Sequence, residues 1–282
     1  MLKVGVIGAG RVGAVLAAKI LQAGHVVVGV SGNSEASRLR AATLIPQIPL
    51  RPADQIVAEA DLLILCVRDD VLPEVVNALA AKVRPGTYVC HTSGSLGRGI
   101  LSPMAEKGAH TFAFHPAMTF TGTEIDLDRK FQVGATAVEN DQEYVRQLAS
   151  VFDSEVSFIS EADRARYHAV LTHGANHLNT LVIEAMSILQ SIGVAEPKKI
   201  LQPLLTAALD NSLELGPAAL TGPVARGDIK TVSAHLAALR EPIRSTYRAL
   251  ALATVDVASS DERIDVETAA ALRSLLAGQE IE

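Results

Sequence analysis

The sequence holds only two cysteines in 282 residues and no block of five or more like charges. It also lacks any uninterrupted apolar run of about 18 residues, the length a helix needs to cross a bilayer. Two thiols, Cys66 and Cys90, each near the end of an apolar strand, read as reduced core residues and argue against a disulfide framework or a cysteine metal cluster. The missing charge blocks, with a formal net charge of −6, leave no basic footprint for nucleic acid or an anionic membrane surface. The missing long apolar run excludes a membrane-spanning helix. The apolar stretch that begins at Val4 is broken by Gly8, Gly10, Arg11 and Gly13, so it reads as a folded motif and not as a secretory signal. A cytoplasmic protein is expected. The eight histidines show no tight ligand spacing with Cys or Asp, so no metal site is expected.

Hydrophobic residues make up 49% of the chain, enough for a large core, and the length suits two domains. Short apolar strands are predicted at Leu2–Ile7, His25–Val30, Asp61–Val67, Tyr88–Thr92 and Thr111–His115, with two more at Phe131–Val138 and Val156–Ile159. Helical patterns lie between them at Val12–Ala23, Ser34–Leu44, Val71–Val83, Gly97–Lys107 and Asp141–Phe152. Strands apolar on both faces and alternating with helices imply a mostly parallel sheet covered on both sides. The alternation stops near Ser160, and only helical periodicity follows. The expected fold is therefore α/β, with a doubly wound Rossmann domain over residues 1–157 and an all-helical substrate or dimerisation domain over 158–282.

The segment Gly8-Ala9-Gly10-Arg11-Val12-Gly13 carries the pattern G-x-G-x-x-G. It follows a strand and opens a helix, the context a dinucleotide-binding turn requires. Gly8 permits the tight turn, Gly10 lets a diphosphate approach the backbone, and Gly13 allows close packing of helix on strand. Free N–H groups at the helix start then face the phosphates. An NAD site places Asp or Glu at the end of the second strand. Here that end reads Val30-Ser31-Gly32-Asn33-Ser34, with Arg38 and Arg40 following. Hydroxyl and amide groups beside arginine suit a ribose phosphate, so NADP is favoured over NAD; the plainer alternative makes Arg38 and Arg40 solvated helix residues.

Ligands of open parallel sheets bind beyond the carboxyl ends of the strands. Those ends carry Val67-Arg68-Asp69, His91-Thr92-Ser93-Gly94 and Phe114-His115-Pro116. His115 is the leading acid–base candidate, since a histidine of ordinary pKa moves protons well near neutrality. Ser93 could bond the same substrate oxygen, or could cap the following helix. In the helical half, His168, Thr172, Asn176 and Asn179 fall within one arc of about 80° on a regular helix. A face of His, Asn and Thr without Lys suits a cleft wall; a polar interface is the alternative. Arg226, just before a helix capped by Asp228, could clamp a substrate carboxylate.

With these residues in view, the chain resembles a bacterial family of Rossmann-like oxidoreductases with a helical C-terminal domain of unknown function. The resemblance rests on GAGRVG (Gly8–Gly13), HTSG (His91–Gly94), the Phe114–Pro116 turn, the stretch from Tyr167 to Asn176, and LTGPVARGDIKTVSAHL (Leu220–Leu236). More distantly the layout is similar to the 6-phosphogluconate dehydrogenase-like superfamily. That likeness implies an N-terminal NADP site, a helical C-terminal domain through which homodimers form, and an active site using Ser93 and His115. The superfamily's lysine, four residues before an asparagine, is missing: Thr172 stands four before Asn176. The reading is an NADP-dependent oxidoreductase acting on a small oxo or hydroxy compound that bears a carboxylate. In it His115, Ser93, His168 and Asn176 are catalytic, and Thr172 and Arg226 meet the substrate. Gly8, Gly10, Arg11, Val12, Gly13, Ser31, Asn33, Ser34, Arg38 and Val67 bind the cofactor. The alternative is a non-catalytic NADP-binding sensor or assembly protein.

Overall fold

The computed structural model describes residues 1–278. Seven strands form one sheet in the order β2-β1-β3-β4-β5-β6-β7. They are β1 (Lys3–Ile7), β2 (Val26–Ser31), β3 (Leu62–Leu65), β4 (Tyr88–His91), β5 (His110–Ala117), β6 (Gln132–Thr136) and β7 (Val156–Phe158). All neighbours pair in parallel except β5 and β6, which run antiparallel. The strand order reverses between β1 and β3, which makes the space above their carboxyl ends the switch point where doubly wound sheets take their ligands.

The continuous apolar run of β3 follows from burial on both faces. Leu62 and Ile64 join one core layer with Val4, Val6 and the buried side of helix α1 (Arg11–Gln22), while Leu63 and Leu65 join the other. That second layer is closed by α3 (Ala53–Glu59), α4 (Leu72–Ala80) and the short α5 (Ser102–Ala105). Helix α2 (Glu35–Leu44) is capped by Ser34, and α6 (Gln142–Ser150) precedes β7. Two features escape the sequence pattern. Helix α3 hides behind the prolines at 46, 49 and 52, and the segment before it adds a parallel bridge between Leu50 and Val30 at the edge of β2.

The chain divides into two compact units, one ending at Leu178 and the other starting at Asn179. The expected boundary at 157/158 thus falls inside the first unit. The physical reason is Arg164, the first residue of α7 (Arg164–Leu171), which is 1% exposed. Its Nε donates to the Leu96 carbonyl at 3.0 Å, Nη1 to Gly134 at 3.1 Å and Nη2 to Ser93 at 2.9 Å. A guanidinium with three buried carbonyls fastens α7 to the sheet's loops. A π-helical turn, Thr172–Asn176, follows α7 and leads into α8 (His177–Ser191).

The second unit is all-helical. Helices α9 (Pro197–Leu215), α10 (Ile229–Ala238), α11 (Ile243–Ser260) and α12 (Val266–Ala277) make it up with the rest of α8. Val232, Leu236, Val255, Leu272 and Leu276 form its core. Asp228 and Asp265 cap α10 and α12 by accepting the Thr231 and Thr268 amides at 3.0 and 2.7 Å. Among the described residues no helix is long and apolar enough to cross a membrane.

Arg164 gives the first test. Arg164→Ala leaves three buried carbonyls unsatisfied and should cost about 2–4 kcal/mol of stability. Urea unfolding followed by circular dichroism reads this as a lower midpoint; a midpoint equal to the wild type's would show that the guanidinium fastens nothing.

Candidate functional site

The glycine turn between β1 and α1 is shaped by backbone contact. Gly8 has φ +108°, and a Cβ there would lie 2.6 Å from the Cys66 carbonyl oxygen. A Cβ on Gly13 would lie 1.9 Å from the Gly8 carbonyl oxygen, so only glycine lets α1 sit this close. Gly10 differs: its nearest neighbour would be the Cys66 oxygen at 3.9 Å, and as N-cap of α1 it has no side chain over the helix start. The result is an open cradle of first-turn amides, which fits a diphosphate. Ser31 ties the turn to β2, its Oγ accepting the Gly8 amide at 3.1 Å and its carbonyl the Ala9 amide at 2.7 Å. Arg11 is exposed and Val12 half-buried on the first turn of α1.

Above the switch point lies a cleft of about 740 Å³, lined by Gly8, Ser31, Asn33 and Val67 among the expected residues. Among the described residues no acidic side chain lines it. Arg38 donates from Nη2 to the Asn33 carbonyl at 2.9 Å, which holds a guanidinium beside the start of α2. Ser34 Oγ accepts the Ser37 amide at 3.1 Å and so serves as the helix cap. Sequence reasoning missed Ser37, Arg51, Val71 and Val75, which also line the cleft. The apolar i, i+4 spacing of Val67, Val71 and Val75 was the available signal.

A second group gathers around the carboxyl ends of β4 and β5. Ser93 is buried; its hydroxyl donates to Asp69 Oδ2 at 2.7 Å and accepts the Leu96 amide at 3.2 Å. The hydroxyl is thus engaged by its own turn. Ser95 donates to the same Asp69 oxygen at 2.7 Å. Glu161, also missed, accepts the Arg98 and Gly99 amides at 3.0 Å each and closes the far side of this loop. His91 is fully buried: Nδ1 accepts the Ser93 amide at 3.2 Å, and Nε2 donates to the Gly97 carbonyl at 2.9 Å. This bonding needs the neutral ring, since a proton on Nδ1 would face another N–H.

His115 stands in register with Gly134 on β6. Its Nδ1 is 3.0 Å from the Tyr167 hydroxyl, and its ring lies edge-on to Tyr167 and His168, with centroids at 5.6 and 6.2 Å. Tyr167 reaches it because position 134 is glycine: a Cβ there would sit 2.2 Å from the phenol oxygen. Gly94 packs between the histidines, a Cβ there falling 2.5 Å from His168 Cδ2 and 3.0 Å from His115 Nε2. Burial, the nearby Arg164 charge and His168 push the His115 pKa down to about 4. This corrects the expectation of an ordinary histidine: the ring is neutral at neutral pH. Burial raises the Tyr167 phenol.

A π turn, Thr172–Asn176, follows Leu171 and interrupts the regular helix on which His168, Thr172, Asn176 and Asn179 were expected to share one polar arc. His168 and Thr172 are half-buried; Asn176 is exposed. Arg226 lies in the helical unit, where it donates to the Thr221 carbonyl and closes the loop before α10. Cys66 and Cys90 are free thiols, and burial pushes Cys66 up to about 12.

Residues 1–116 match a Rossmann-like domain, and residues 131–254 match the domain of unknown function DUF2520. The chain joins a Rossmann-like domain to a DUF2520 domain. No curated protein matches the sequence. A Bacteroides fragilis protein, provisionally described as an NADP oxidoreductase, has 23% identity and TM-score 0.74 over 90% of this chain and 97% of its own. Plasmodium falciparum pyrroline carboxylate reductase with NADP bound has 14% identity and TM-score 0.63 over 97% and 98%. The reductive aminase of Aspergillus terreus, in complex with NADPH and ethyl-5-oxohexanoate, has 19% identity and TM-score 0.62 over 99% and 93%. At these identities the likeness is one of fold. The DUF2520 match begins at β6 and so takes in Gly134, Arg164, Tyr167 and Asn176.

The two depressed histidines of the Rossmann-like unit set a pH dependence. Burial lowers His91 and His115 to about 4 in the folded protein, below the ordinary histidine value of 6.5. The unfolded chain therefore binds more protons in that window, and stability present above pH 6.5 is lost as pH falls toward 4. The loss should approach about 1.4 kcal/mol per pH unit for each histidine. Thermal melts from pH 7 to pH 4 should show it, with a shallower slope in His91→Gln; an unchanged slope in that variant would contradict the assignment.

Proposed function

We propose that this protein is an NADP-dependent oxidoreductase that moves hydride to or from a small oxo or hydroxy compound bearing a carboxylate. One observation carries the reading: an open amide cradle at the switch point, beside a cleft with no acidic wall. An aspartate or glutamate at the end of β2 would favour the free ribose hydroxyls of NAD. Ser31 and Asn33 stand there instead. The named structural neighbours that hold NADP or NADPH support the same cofactor.

In this reading Gly8, Gly10, Arg11, Val12 and Gly13 present the diphosphate site. Ser31, Asn33, Ser34 and Arg38 meet the phosphorylated ribose, and Val67 supplies apolar wall. The bound cofactor supplies the hydride chemistry. The protein's own share is a proton and a fixed orientation. His115 is neutral, so with Tyr167 donating to Nδ1 its own proton sits on Nε2, the atom beside Gly94. In this reading the Nε2 proton passes to the substrate oxygen as hydride reaches carbon, the Tyr167 hydroxyl proton moves onto Nδ1, and solvent returns a proton to the phenolate. His168, Thr172 and Asn176 orient the substrate, and Ser93 shapes the loop beneath it. A cytoplasmic homodimer joined through the helical domain completes the proposal. Its support is α9, whose Leu204 and Leu213 are 62% and 76% exposed.

The absence of a lysine at Thr172 favours one other reading, an NADP-binding protein without chemistry. A turnover screen separates the two. NADPH consumption is followed against 2-oxo acids, cyclic imines and simple ketones, with wild type and His115→Ala side by side. The proposal predicts turnover with at least one class, reduced about 10²- to 10⁴-fold in the variant, with NADPH affinity nearly unchanged. Equal turnover in the variant would remove His115 from the chemistry, and no turnover with any class would favour the non-catalytic reading.

A further inference from the structure

Arg51 lines the cleft, yet nothing in the sequence pattern marks it. It belongs to the short extended segment that bridges to β2: the Val30 amide donates to the Pro49 carbonyl at 3.3 Å, and the Arg51 amide to the Val30 carbonyl at 3.0 Å. Its side chain runs over Gly29, where a Cβ would come within 2.9 Å of Arg51 Cδ. The guanidinium is then fixed. Nη1 donates to the Val28 carbonyl and to Glu59 Oε2, both at 3.0 Å, and Nη2 donates to Glu59 Oε1 at 2.6 Å. Glu59 thus locks the plane of the group and offsets its charge.

Such an arginine is poorly suited to a phosphate, because its positive charge and its best-aligned donors are already taken by a carboxylate. What it retains is a flat, weakly hydrated face, which suits a planar ring. The cleft's other apolar contributors match that use. Val71, Val75 and Leu79 repeat at i, i+4 and i+8 along α4 and its start, and Leu50 and Pro52 flank Arg51 in sequence. A slot with aliphatic side chains and a fixed guanidinium suits a purine.

We infer that Arg51 is the platform on which the adenine of the dinucleotide stacks, held flat by Glu59. The inference rests on the dinucleotide reading of the cleft. It is distinct from the ribose phosphate contacts assigned to Ser31, Asn33, Ser34 and Arg38, and the distinction makes it testable. Adenine is common to NADPH and NADH, so loss of the platform weakens both alike.

The test is a binding titration of wild type, Arg51→Ala, Arg51→Lys and Glu59→Gln with NADPH, NADH and reduced nicotinamide mononucleotide, which has no adenine. The expected result is a rise in Kd of about 5- to 30-fold for both dinucleotides in Arg51→Ala. The NADPH to NADH ratio stays at its wild-type value, and mononucleotide binding does not change. Lysine at this position, which keeps the charge without the plane, should bind as weakly as alanine. Glu59→Gln, with Arg51 in place, should weaken both dinucleotides by a smaller factor. Loss confined to NADPH, or rescue by lysine, would make Arg51 a phosphate ligand and overturn the inference. Unchanged dinucleotide binding in the alanine variant would overturn it as well, and so would an equal loss of the mononucleotide, which signals general disruption. Failure of the wild type to bind either dinucleotide would remove the reading beneath it.

Discussion

The close approach of two backbones at the switch point is the constraint on which the Rossmann-like unit turns. With Gly13 pressed against the Gly8 carbonyl and Gly8 against that of Cys66, the first turn of α1 sits directly over the ends of β1 and β3. Any side chain at either position would force the helix away and close the amide cradle. The open face at Gly10 has meaning only because its neighbours are so tightly packed. Ser31 fixes the same turn from the β2 side, so one loop, two strands and one helix share a single geometry.

A second fastening builds the other half of the site. Arg164 gathers carbonyls from the loop after β4 and from β6, and Glu161 takes two amides of the same loop. These contacts bring α7 onto the sheet and put Tyr167 over Gly134, within hydrogen-bonding distance of His115. The Arg164 charge then helps to keep His115 neutral. One buried cation therefore acts as both fastener and electrostatic influence, and the His115–Tyr167 pair depends on it. Arg51 illustrates the same economy at the cleft, where the Glu59 carboxylate sets the plane of a guanidinium.

Legibility in the sequence followed the range of the interactions. The cradle could be read because its demands are local: a turn and a helix start that exclude side chains can be met only by glycine at fixed spacing. The strand–helix alternation up to β7 and the all-helical second unit were readable for a similar reason, since two-sided burial leaves continuous apolar strands. His115 and Ser93 could be located from strand ends. Their state could not be. The hydroxyl of Ser93 is engaged by Asp69 and the Leu96 amide, and the neutrality of His115 comes from burial and from a residue 49 positions away in sequence. Arg164 looked like any charged residue at a helix start, so its tie to the sheet's loops was not legible. The π turn carries no local signal that a regular-helix wheel could register. Arg51 and α3 lay in a proline-rich stretch that reads as a loop.

A cleft above β1 and β3 made for a phosphorylated dinucleotide should discriminate between NADPH and NADH, and titration of the wild-type protein with each, followed by ligand fluorescence, reads this. Saturable NADPH binding tighter than NADH binding by roughly ten-fold or more, about 1.4 kcal/mol, is expected. Binding of neither dinucleotide, or a preference for NADH, would contradict it.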